Sequence, residues 1–110
     1  METYFEAVRR NDADAVPLHL DVVFVSPLGR YEGIDVFRKG LPDFVRILKS
    51  IEVLRLTADD ETCAAVLNID TIFGLIPMLE YFHVTDGRIV SIRIYYDPRP
   101  ILDGMSRASA

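Results

Sequence analysis

The chain has 110 residues, 12.5 kDa and a formal charge of −5, from 12 basic and 17 acidic side chains. That length fits one domain, and the acidic balance argues against phosphate backbones and anionic bilayers, so neither a nucleic-acid nor a membrane partner is expected. Half of the residues (50%) are hydrophobic, which excludes disorder and is unusually apolar for an acidic soluble domain.

From the N-terminus, Tyr4, Phe5 and Val8 share one face of a helix over residues 2–10. Asp12 or Asp14 caps a short second helix expected over 13–20, with Pro17 in its first turn. Val22 to Val25 reads as a short strand ending at the turn Ser26-Pro27-Leu28-Gly29. A third helix is expected over 34–50, on the apolar stripe Val36, Phe37, Leu41, Phe44, Val45 and Leu48, with Gly40 and Pro42 as breakers. The period then changes to two. Strands are expected over 51–57, 63–73, 78–84 and 88–96, with turns at 58–61, at 74–77 and at Asp86-Gly87. The tail over 103–110 is expected to be flexible. Helices followed by antiparallel strands give an α+β fold with the helices on one face of a bent sheet.

Cys63 is the single cysteine, and with His19 and His83 it builds no structural zinc site. No metal and no cofactor are therefore expected. No apolar run approaches the roughly 18 residues of a membrane span. Glu2 and Glu6 stand where a secretory leader is basic and then apolar, so the expected address is cytoplasmic.

The hairpin around residue 75 carries the sharpest chemical reading. A turn at 74–77 closing symmetrically sets Asp70 opposite Glu80, Asn68 opposite Phe82 and Ile72 opposite Met78. If buried, the two carboxylates form an acid–base dyad sharing a proton. If solvated, they are ordinary surface groups, and a register shift of one residue separates them onto opposite faces. His83 has the opposite parity to Glu80 and is assigned to the outer face, whereas His19 is placed near the end of the second helix.

The segments YFEAVRRNDADAV, VFVSPLGRYEG and EYFHVTDGRIVSIRIYYDP resemble the nuclear transport factor 2-like superfamily, and within it the SnoaL-like and ketosteroid-isomerase-like small proteins. The resemblance spans about residues 4–98 and gives a single SnoaL-like domain over 1–102. It implies a cystatin-like cone, a curved antiparallel sheet wrapped around about three N-terminal helices, with an apolar pocket in its open end. In ketosteroid isomerase the position matching Glu80 is an acid kept protonated to donate a hydrogen bond to an oxyanion. Its partner tyrosine matches Tyr4; with Asp70 taken from the hairpin reading, the expected catalytic set is Tyr4, Asp70 and Glu80. The isomerase's general base matches Ser26, which is no base at neutral pH; Asp70 is the only candidate to replace it. Limonene-epoxide hydrolases carry Arg-x-Asp on one strand, where this chain has Asn68-Ile69-Asp70 without the arginine.

Even positions of the last strands, Met78, Phe82, Ile94 and Tyr96, are assigned to the inner face, and with Ser26, Phe37 and Asn68 they make the expected ligand-binding set. Phe5, Val8, Val23, Phe44, Leu48, Leu54 and Leu56 complete the expected lining. The ligand expected is a small, largely apolar molecule. The outer face, with Leu67, Ile69, Leu79, Tyr81 and Tyr95, is also half apolar, which predicts a homodimer through that face. Two functions stand: an isomerase, cyclase or hydratase working through the carboxylates, or a non-catalytic binding or dimerisation module.

Overall fold

The computed structural model describes residues 2–109. Helix α1 (Glu2–Arg9) is followed by a single 3-10 turn (Ala13–Ala15), then strands β1 (Leu18–Ser26) and β2 (Gly29–Glu32), and helix α2 (Ile34–Ile47). Strands β3 (Leu48–Ala58), β4 (Thr62–Thr71), β5 (Gly74–Thr85) and β6 (Arg88–Tyr95) come next, and α3 (Arg99–Ser109) closes the chain.

The strands form one six-stranded curved sheet in the order β2-β1-β6-β5-β4-β3. All neighbours are antiparallel except β1 and β6, which run parallel, so the sheet is mixed. The α+β cone expected from sequence is the fold observed. Its concave face holds the core, in which Tyr4, Phe5 and Val8 of α1 and Leu41 of α2 meet Phe82, Ile92, Leu67 and Ile69 of the sheet.

Several elements differ from expectation. The second helix is reduced to one 3-10 turn, because Pro17 has no amide to continue it and Leu18 onward joins the sheet beside β6. His19 consequently lies on β1, exposed, with its Nδ1 accepting the Asp21 amide at 3.0 Å. Strand β2 is an addition to the expected elements: the four residues after the Pro27-Leu28 turn, Gly29–Glu32, pair with β1. Helix α2 stops at Ile47 because Leu48–Ser50 already belong to β3, and Pro42 lies inside the helix. The 103–110 segment, expected as a flexible tail, belongs largely to α3. Asp97 caps that helix, accepting the Arg99 amide at 3.0 Å while chelating the Arg99 guanidinium. Its carboxyl is held below the usual range by those bonds to Arg99.

Turn chemistry decides the register. Asn11 takes φ 56° beyond α1, and the amide of Asp12 reaches back to Ala7 at 2.9 Å, a helix stop that asparagine tolerates. Asp86 and Gly87 both have positive φ, the mirror-image turn that their pairing predicts. The β4–β5 turn is Ile72-Phe73, not 74–77. Thr71 Oγ1 accepts the Phe73 amide at 3.0 Å and donates to the Gly74 carbonyl at 2.8 Å. Gly74 follows at φ 111°, a backbone state that side-chain-bearing residues rarely adopt.

Candidate functional site

The β4–β5 register is the correction that matters most for chemistry. Asp70 faces Leu75, Asn68 faces Pro77, and Glu80 faces Ala65. The expected register is off by an odd number of residues, so the parity of β4 inverts. Asp70 and Asn68 therefore lie on the outer face, and the Asp70–Glu80 dyad does not exist. Leu67 and Ile69, expected outside, are instead buried in the core. Ile72 falls in the turn and is 58% exposed.

Between the helices and the concave face lies a cavity of about 450 Å³. Tyr4, Ser26, Phe37, Met78, Glu80, Ile94 and Tyr96, all expected at the site, line it. Phe82 does not; it is completely buried behind the cavity, with its ring 5.0 Å from that of Tyr4. Phe5, Val8 and Phe44 also line the cavity, as expected, whereas Leu54 is 53% exposed and Val23 sits on the outer-face parity of β1. His83 lies on the outer face, paired with Ser91 and Thr62.

Glu80 is the anomaly of the lining. It is 5% exposed on a central strand, flanked across the sheet by Ala65 and Ile94. No basic side chain lines the cavity to compensate it. Burial alone pushes its carboxyl up to about 8, so at neutral pH it holds its proton and is a donor. Helix α1 sets Tyr4 into the same wall, with its ring edge-on to Phe5 and Phe82. The Tyr4 phenol is pushed well above its ordinary value by burial, and then by the nearby Glu80 carboxyl. Tyr4 thus remains a neutral O–H donor. Two protonated groups meet in one apolar wall, an arrangement that receives an oxygen acceptor from a ligand and strengthens as negative charge gathers there.

At the other end, Ser26 Oγ accepts the Leu28 amide at 3.1 Å, the turn role expected for serine before proline. Tyr31, not singled out from sequence, lines the cavity from β2 and donates to the Leu28 carbonyl at 3.3 Å. Phe24 of β1 stacks on Phe37 of α2, centroids 5.6 Å apart and 8° from parallel. Ile101 of α3 covers one side. The signal for Tyr31 was present in the turn followed by Tyr31's alternation with Arg30 and Glu32; Ile101 carried none without α3.

No protein-family model and no curated protein matches the sequence. Among solved structures, the chain is similar to a protein from Kribbella flavida DSM 17836, at 29% identity and TM-score 0.89, over 99% of this chain and 93% of that one. It is similar to an NTF2-like protein of unknown function from Cytophaga hutchinsonii ATCC 33406, at 21% identity and TM-score 0.78, over 92% and 89% of the two chains. An LEH-like epoxide hydrolase of M. tuberculosis matches at 22% identity and TM-score 0.73, over 96% and 86%. The latter two likenesses are of fold. With its helices in the concave face of a curved sheet and an apolar cavity between them, this chain has the fold of the nuclear transport factor 2-like superfamily.

Proposed function

We propose that this protein binds a small, largely apolar molecule in the cavity and hydrogen-bonds one of its oxygens through Tyr4 and protonated Glu80. The observation that carries this reading is Glu80, a carboxyl enclosed by apolar walls without a cation and held neutral by burial. Such a group costs stability unless something in the cavity uses it. Binding is favoured over proton-shuttling catalysis because Glu80 is the only carboxylate among the cavity-lining residues, and no imidazole joins it. Isomerase, cyclase or hydratase chemistry of the two-carboxylate kind would need a base where Ser26 stands, and Asp70 faces outward. Epoxide hydrolysis of the kind named for the M. tuberculosis neighbour draws no support either, since Asn68 and Asp70 are on the outer face.

The test uses p-acetylbiphenyl, a neutral ketone, with biphenyl as its carbonyl-free control. The ketone is expected to bind about tenfold tighter than biphenyl near pH 6, and to lose that advantage as pH rises through the Glu80 value. Tyr4→Phe should reduce the advantage, and Glu80→Gln should remove its pH dependence. Equal binding of the two probes at every pH would overturn the reading.

The outer face, with Leu79, Tyr81 and Tyr95 exposed, supports a homodimer through the sheet, and the buried free thiol of Cys63 suits a reducing cytoplasm.

A further inference from the structure

One position in the cavity wall has no side chain. The apolar stripe of α2 that lines the cavity is Val36, Phe37, Gly40, Leu41 and Phe44. Residues three and four apart share a helix face, so Gly40 stands between Val36 and Phe37 on one side and Phe44 on the other. Neither backbone nor packing demands glycine there. Gly40 is not among the glycines with positive φ, so its conformation does not require one. A Cβ added to it meets nothing within 4 Å. Glycine in mid-helix is less stable than alanine, so what the position supplies is open space.

That space leads outward. Among the described cavity-lining residues, Tyr31, Val36 and Gly40 are exposed, and the others are buried or half-buried. Tyr31 lies on β2, while Val36 and Gly40 are one turn apart on α2. The cavity therefore meets water between α2 and β2, and Gly40 lies in that opening. The phenol of Tyr31 is held on its own hairpin. It donates to the Leu28 carbonyl at 3.3 Å, and a Cβ at Gly29 would stand 3.2 Å from its oxygen. Tyr4 and Glu80 are buried, so a ligand oxygen bound to them lies on the inner side of this slot.

We infer that Gly40 is the gate of the cavity and sets which ligands it accepts. Through the slot that Gly40 leaves, a ligand whose apolar head is held inside can carry a polar chain out into water. The site thus takes an apolar head conjugated to a longer polar chain, as well as the free head. A side chain at position 40 would fill the slot and confine the site to molecules that fit wholly inside. This rests on the binding function proposed above and adds where the ligand meets solvent and what can be attached to it. A polar chain loses its hydrogen bonds to water when buried against apolar walls, so tolerance of one reports an opening.

The experiment compares p-acetylbiphenyl with the same ketone carrying a tri(ethylene glycol) ether at its p′ carbon. The readout is the ratio of the two affinities by calorimetry near pH 6. In the wild-type protein the two are expected to agree within about threefold, because the tail stays in water. Gly40→Leu is expected to weaken the tailed probe about tenfold relative to the plain one. Leucine is a strong helix former, so this variant keeps α2 intact. A general loosening of the cavity weakens both probes alike and leaves the ratio in place. Lys39→Leu, at an exposed neighbour outside the lining, should also leave it in place. A wild-type protein that binds the plain ketone but rejects the tailed one overturns the gate and leaves the binding function standing. A ratio indifferent to Gly40→Leu does the same. If neither ketone binds, the parent function falls, and this inference falls with it.

Discussion

Glu80 ties stability to pH in an unusual direction. Its carboxyl sits near 4.5 in an unfolded chain and about 8 in the folded one, so between those values the folded state keeps a proton that the unfolded state releases. Its contribution is therefore fully present below about 4.5, declines as pH rises through the window, and levels off above about 8. The whole swing is on the order of 5 kcal/mol. Glu80→Gln is neutral throughout, so its stability relative to wild type should rise by several kcal/mol between the two ends of that window. Urea denaturation at a series of pH values checks this; parallel pH profiles for the two proteins would refute it. Glu80, Tyr4, Ile94 and Tyr96 were legible from sequence because Asp86-Gly87 fixes the β5–β6 register without ambiguity. Asp70 and Asn68 were not. The 63–71 stretch is apolar on both parities, so only the turn sets its facing. Pro77 draws that turn too far along the chain. It is tolerated inside β5 because β6 pairing starts only at Leu79, leaving that side of Pro77 without a partner strand.

At the scale of elements, α3 is held to the body by a narrow seam. Ile101 and Gly104 are its buried positions among the residues described, and a Cβ at Gly104 would stand 2.2 Å from the ring of Phe73 in the β4–β5 turn. Gly40 in α2 is the opposite case, with nothing within 4 Å of the same added atom. Helix propensity alone favours alanine at both by about 1 kcal/mol. We expect Gly40→Ala to raise the melting temperature. Gly104→Ala should lower it through an overpacking cost of about 1–3 kcal/mol. Combining Gly104→Ala with Phe73→Ala should cost less than the sum of the two single changes, because the clash then disappears. Additive losses would show that the seam is not where α3 is held. None of this was legible in the tail sequence. Among the described residues of the helix, Ile101 and Gly104 are buried, while Arg99, Asp103, Ser106 and Arg107 are exposed. The shortened second helix and the missed β2 have a related cause. Short segments take their conformation from the strand beside them, and β1 is recruited by β6, 70 residues later in the chain from Leu18 to Arg88.

For the whole molecule, the surplus of apolar residues divides between the cavity lining and an outer sheet face. On that face Leu79 pairs with Tyr95 and with Val66, and Tyr81 lies beside them. A second copy covering this face should give a dimer in sedimentation. Tyr81→Glu should return it to a monomer with an unchanged circular dichroism spectrum, because the side chain is 41% exposed and supports no core contact. A wild-type monomer at micromolar concentration would sink that expectation. The central place of β6 has a different consequence, one of timing. It is the last strand to be synthesised, yet it is the strand that joins β2-β1 to β5-β4-β3. Until residues 88–95 have left the ribosome, β1 and β5 are unjoined edges, and the helices have half a sheet to lie on. Until then the two parts of the sheet, β2-β1 and β5-β4-β3, have no strand between them, and their apolar faces stay only partly covered.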